Sequence, residues 1–350
     1  MFIRVDAPAR HAHAQQLLWY AAPLAALLYP LPLMGFHALI TSPPASGGYV
    51  HTFAAGLLLL LAFLVPVLAL VLAMHLSMIE NPSPAQRHAR RIALLAVAAP
   101  PMFVFGGAVF FMLGIAPLLA WVFPALWIAL AITIAFSDKA PSTQVVTPHP
   151  ASLRIAHGVL ALLVLLVFLA AHIANHFFGL IGVTAYTTVM KLLRHIYRTP
   201  VVEPLLLAGF FSLIISGFYM AWKFTAQSTD RFRTFQMASG IYLMFFLISH
   251  IDAVLILARR FLGIDSDWAF ATGAPAGLIH DAFNIYLVPY YWFAVFFVLS
   301  HLASGARAVM LAHGSQKSHA DGVHIFGMAL SALAATLILL GMTGLRIYWI

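Results

Sequence analysis

Apolar residues in this chain run in long blocks separated by short polar stretches. Crossing the ~30 Å hydrocarbon core of a bilayer takes about 20 apolar residues as a helix, and nine blocks reach that length, near 17–40, 51–76, 91–114, 116–137, 153–179, 201–223, 234–257, 283–304 and 324–348. The pattern predicts an all-α integral membrane protein whose walls face lipid. The longest polar break among them, SDKAPSTQVVTPHPAS, ends the first four helices. It divides the chain into a four-helix region (1–137), a linker (138–152) and a five-helix region (153–350). The phrases RRIALL and LRIAHG stand at similar places in the two regions, but the likeness stops there, so no internal repeat is expected. Pro23, Pro30, Pro32, Pro66, Pro100, Pro101 and Pro124 fall inside the early blocks and predict kinked, mutually packed helices, with a substrate cavity as the alternative.

Composition agrees, since 63% of residues are hydrophobic and only 8% are charged. The absence of cysteine excludes disulfides, thiolate-held iron–sulfur clusters and covalently attached haem. The first sixteen residues are polar and the block after them is of spanning length, so the first helix is expected to remain as an anchor. The net charge of +8 is scattered over short loops, which points to topology rather than to nucleic acid. With the N-terminus inside, only Lys191, Arg194, Arg198, Arg259, Arg260 and Arg346 of the 18 Lys and Arg fall outside. The positive-inside rule therefore predicts a cytoplasmic N-terminus and an external C-terminus, in a bacterial cytoplasmic membrane.

Histidines within the apolar blocks are costly without a partner and mark candidate sites. In LAAHIANHFFG, His172 lies fifteen residues beyond His157, roughly 22 Å further along the fifth helix. His250 lies equally late in the seventh helix, which runs the same way, so His172 and His250 are expected at one outer level. His301 ends its helix near the opposite, inner face. Two imidazoles from neighbouring helices at one depth are what six-coordinate b-type haem requires. Ala170, Ala171, Ala174 and Ser249 leave room for a flat ring, whereas hydrogen bonding between helices is the plainer alternative. His176, one turn past His172, is expected at the outer interface, or against a haem propionate or a quinone.

The segment LRIAHGVLALLVLLVFLAAHIANHF resembles the first helix of the di-haem cytochrome b membrane anchor of succinate dehydrogenases and fumarate reductases, in its single-polypeptide five-helix form. The likeness rests on Arg154 and His157 at the helix start and on His172 followed by Asn175, His176 and Phe177. It continues through SGFYMAWKF, QMASGIYLMFFLISH, SHLASG and the terminal GLRIYW, covering roughly residues 150–350. The resemblance implies an outer haem on His172 and His250 and an inner haem with His301 as one ligand. The family's remaining ligand, four residues before Gly217, is here Leu213. The inner haem is then absent, or five-coordinate on His301, or completed by a residue of the first four helices, a region with no counterpart in that family.

Electron transfer between a quinone and a partner redox protein through haem b is the expected function. Flavoprotein and iron–sulfur subunits would dock on the cytoplasmic face, because this chain has neither cysteines nor a dinucleotide fingerprint. Glu203 and Asp252 are candidate proton-exchanging groups at the outer level; otherwise Glu203 pairs with Arg198 and Asp252 with Arg259. Two rivals remain: a haem-free, proton-coupled transporter and an anchor that keeps only a structural role.

Overall fold

A computed structural model describes residues 16–42, 48–140 and 151–347. Most of the expected linker, 141–150, lies outside the described residues, as do Tyr348 and Trp349 of the terminal phrase. All regular structure among the described residues is helical. Among the described residues eight helices are long and apolar enough to cross a membrane, or nine if one bent pair counts as a span. These elements are α1 (Gln16–Thr41), α2 (Gly48–Ser77), the bent pair α3 (Pro84–Ala96) and α4 (Ala99–Met112), and α5 (Ala116–Ala135). There follow α6 (Ala151–Leu180), the short α7 (Val183–Tyr197), α8 (Val202–Phe224), α9 (Arg231–Leu262), α10 (Asn284–Ala312) and α11 (Lys317–Met342).

The third block is two helices meeting at 64°, a sharp form of the kink that its prolines predict. Pro100 and Pro101 lack the N–H groups that would bond the carbonyls of Ala96 and Val97, so the ladder fails at that turn. The start of α3 is fixed by a capping box, in which Gln86 N donates to Ser83 Oγ at 3.2 Å and Ser83 N to Gln86 Oε1 at 2.9 Å. Helix α7 was not foreseen. Its fifteen residues bury Tyr186 and Met190 on one face, which makes it amphipathic and too short to span.

Connections gather in two layers, as alternate crossings require. At one end Thr229 N donates to Ser77 O at 2.8 Å, the Ser228 hydroxyl to Ile79 O at 2.6 Å, and Ala85 N to Asp138 O at 3.0 Å. At the other, a ring nitrogen of His37 lies 3.0 Å from His280 O, and Ile347 N donates to Leu180 O at 2.8 Å.

Helices α6, α8, α9, α10 and α11 contact one another in sequence, and α11 returns to α6, closing a ring. α9 also packs against α2, α3 and α4, and α10 against α4, so the first four helices cover one outer wall of that ring. The joint is largely aromatic: Phe103 of α4 lies 4.4 Å from Tyr286 and 6.2 Å from Tyr29. At one end Arg90, fully buried, donates to the carbonyl of Thr225 just past α8. Arg91 lies over the Trp222 ring at 4.3 Å. Two cations thus meet the carbonyl end of α8, where the helix dipole favours them.

Candidate functional site

The ring of five helices is hollow. Only 6% of the apolar window of α6 and of α8 is buried, against 17–33% for the other straight spans, so both helices face lipid on one side and open space on the other. That space is a cavity of about 1920 Å³, roughly twice the upper end of ordinary ligand pockets. It reaches from Arg154 and His313 at one end to Arg198 and Ser266 at the other. His157, His172, His176, His250 and His301 all line it, and so do Arg154 and Glu203. Of the described residues before 141, only Val104 does. The first four helices therefore bring no imidazole, carboxylate or thioether to the cavity among the described residues.

His172 on α6 and His250 on α9 meet with ring centroids 6.2 Å apart and ring planes inclined at 67°. Metal–imidazole bonds of about 2 Å place the centroids of two coaxial imidazoles on one metal roughly 6 Å apart. Each ring is held by a phenylalanine one turn earlier: Phe168 stacks on His172 at 4.9 Å and Phe246 on His250 at 5.2 Å. The helix changes pitch beside both histidines. Leu165–Leu169 forms π-helical turns just before His172, and Asp252–Leu262 does so just after His250. Such turns re-aim side chains and concentrate at functional sites.

His176 does not sit at the interface. Its ring lies 4.9 Å from His172 and 5.7 Å from Tyr186, lining the cavity. Its Nδ1 and the Oδ1 of Asn175 are buried without a hydrogen-bond partner among the described residues. Buried polar atoms are normally satisfied, so two such atoms within a turn of His172 are exceptional.

The carboxylates pair otherwise than expected. Glu203 meets Arg259, not Arg198, and both line the mouth of the cavity. Arg198 instead holds Asp265 at 2.9 Å, with Arg194 at 3.6 Å. Asp252 is absent from the cavity lining, and its Oδ2 is buried with no partner among the described residues. Its helix packs on α4, and the π-helical turns that begin at Asp252 carry Arg259 round to Glu203.

The Arg198 hydrogen bond, reinforced by Arg194, holds the Asp265 carboxyl below its ordinary value. A depressed carboxyl stabilises the fold above the unfolded-state pKa near 4, and that contribution fades as pH falls below it. Asp265 is 67% exposed, so solvent limits the effect to under about 1 kcal/mol. Asp265→Asn is expected to lower thermal stability slightly at pH 7, with the difference from wild type shrinking as pH falls below about 4 in detergent unfolding scans. Burial pushes the Tyr186 phenol up to about 12, so it stands protonated beside His176.

Nearer the opposite end, His157 on α6 and His301 on α10 enter the same cavity. Leu213 lines it one turn before Gly217 and offers no ligand atom. Sequence reading missed Arg194, Tyr186 and the two serines that hold these rings, Ser216 and Ser239. The signal was present as a Ser-Gly pair repeated at 216–217 and 239–240 on adjoining helices. Comparison with family models, with curated proteins and with solved structures finds no match to this chain. Among the described residues there is no group of three or more histidines and carboxylates placed to hold a metal ion. A haem iron asks less of the protein, because the porphyrin supplies four of its ligands. The class of protein is thus an all-helical integral membrane protein with a histidine-lined cavity inside a five-helix ring.

Proposed function

We propose that this chain is a membrane-bound b-type cytochrome that passes electrons between a quinone and a partner redox protein. The observation that carries the reading is the His172–His250 pair, set across a hollow helix ring at the spacing of two axial imidazoles. Haem held there supplies a reversible one-electron couple, which flavin or nicotinamide chemistry on another chain does not provide within the membrane.

The chain's own residues bind and tune. His172 and His250 hold the iron, and Phe168 and Phe246 fix their ring planes. Arg194, Arg198 and Arg259 line the mouth at that level and suit the carboxylates of a haem edge. Glu203, whose helix starts at the same mouth and which pairs with Arg259, is placed to accept a proton from a quinol hydroxyl. The orphaned Asn175 and His176 atoms offer a hydrogen-bond acceptor and a ring nitrogen to the same ligand region. A flavoprotein and iron–sulfur partner would dock at the opposite end, cytoplasmic if positive charge sets orientation in a bacterial inner membrane.

Anaerobic mixing of the purified protein with a short-chain quinol tests the quinone half of this reading. The b bands are expected to reduce, and Glu203→Gln is expected to slow that reduction about a hundredfold while leaving the bands unchanged. Bands that no ubiquinol or menaquinol analogue reduces would contradict it.

A further inference from the structure

The helix ring is not closed along its whole height. α11 meets α6 through Ala170–Leu180, whereas the other half of α6, Ala151–Val164, packs closely against α8 alone among the described elements. Every residue from Leu302 to His313, at the end of α10, borders the cavity. Consecutive helical residues point in all directions, so the cavity passes round α10 to its lipid-facing side. Ile155, Val159 and Val309 border it too, although all three are exposed on the outside of the protein. The cavity therefore opens sideways between α6 and α10. A Cβ added at Gly158 of α6 or at Gly305 of α10 would meet nothing within 4 Å.

Three arginines line this end of the cavity, each within two turns of a helix end: Arg154 on α6, Arg233 on α9 and Arg307 on α10. That depth is where a bilayer carries its headgroups. Aromatic rings hold two of the three, Arg233 over Phe224 at 4.2 Å and Arg307 over Phe232 at 4.0 Å. The carboxylates beside them are already engaged. Asp230 caps α9 by accepting from Arg233 N at 2.8 Å, and Asp321 is shared by Arg307 Nε at 2.7 Å and Lys317 Nζ at 2.5 Å. Arg154 has no ion-pair partner among the described residues. The opening thus carries an excess of positive charge.

We infer that the opening between α6 and α10 holds an anionic phospholipid, its phosphate against Arg154, Arg233 and Arg307 and one acyl chain passing through the gap into the cavity. The planar fork of arginine matches phosphate oxygens, and basic pockets between spanning helices favour anionic headgroups. The walls that the chain meets are apolar, Leu162, Leu213 and Leu302 among them. Both imidazoles on this stretch are tied to serines, Nδ1 of His157 lying 2.7 Å from Ser216 Oγ and Nδ1 of His301 2.9 Å from Ser239 Oγ. The site lies towards the end of the cavity away from Arg198 and Ser266, and it does not rest on the cytochrome reading.

Binding is read by native mass spectrometry and by thermal unfolding of the full-length protein, stripped of lipid in detergent and then supplied with dioleoylphosphatidylglycerol, dioleoylphosphatidylcholine or inorganic phosphate. Phosphatidylglycerol is expected to be retained at one molecule per chain, about tenfold more tightly than phosphatidylcholine, and to raise the unfolding temperature. Arg154→Gln and Arg233→Gln should each weaken its retention about fivefold while leaving the unfolding of the lipid-free protein unchanged. Gly158→Leu, which places a side chain where the gap is open, should weaken both phospholipids alike. Equal retention of the two phospholipids, or retention of phosphatidylglycerol undiminished by either arginine substitution, would overturn the inference in favour of general solvation by lipid. Inorganic phosphate that stabilises the protein as strongly as phosphatidylglycerol would overturn it in favour of a free anion. Lipid is measured here and not haem, so a colourless protein would leave the result standing.

Discussion

His172→Ala and His250→Ala are each expected to lower the haem-to-protein ratio by one and to abolish the low-spin b signal of that level, while the protein still inserts and folds. Each ring projects from a helix anchored elsewhere, α6 through α8 and α11, and α9 through α10 and the first four helices, so neither helix depends on its histidine for position. With one of the two imidazoles gone, the site would lose half of the protein's ligation, so the haem would be released rather than held. Phe168→Ala and Phe246→Ala should act more mildly, loosening the ring planes and shifting the midpoint potential without loss of haem. Absorption and resonance spectra of purified variants check this. A low-spin signal undiminished in both alanine variants would contradict it.

Arg90→Ala is expected to lower stability by about 2–5 kcal/mol, the largest loss from any single change outside the cavity. Arg90 is fully buried between α3 and the end of α8, so truncation opens a void and leaves the Thr225 carbonyl unpaired. Its Nε and Nη1 have no hydrogen-bond partner among the described residues, which means that part of its charge is buried uncompensated. Arg90→Met should therefore recover much of the loss, since it fills the space without those two atoms. Thermal unfolding in detergent separates the variants, and Arg90→Ala unfolding together with wild type would refute this role for the arginine.

Much of the architecture was legible because spanning a bilayer imposes a length and an apolarity that few other constraints mimic. The eight straight spans match their blocks within a few residues at most ends, although α9, α10 and α11 run past their blocks at one end or both. The third is broken at Pro100 and Pro101, two of the prolines expected to kink the early helices, where the apolar pattern continues but the hydrogen-bond ladder does not. Helix α7 escaped because apolar length was the signal sought, and an amphipathic interfacial helix lacks it.

At the site, depth counting along two helices that run the same way anticipated that His172 and His250 share a level, since rise per residue is fixed. Rotation about the helix axis is not fixed in that way once π-helical turns intervene. Asp252 therefore lies off the cavity and Arg259 reaches Glu203, against the pairing expected from sequence distance. That His157 and His301 enter one cavity was hidden for another reason: they lie 144 positions apart in the chain, and only closure of the α6–α11 ring brings both to it.

The most direct test of the central claim is a reduced-minus-oxidised absorption spectrum of the purified protein, expressed with ample haem and read beside the His172→Ala/His250→Ala double variant. Sharp low-spin b bands in the wild type, diminished by one haem equivalent in the double variant, are the predicted result. A folded, colourless wild-type protein would contradict the cytochrome reading and return the histidine-lined cavity to a haem-free transporter or a purely structural anchor.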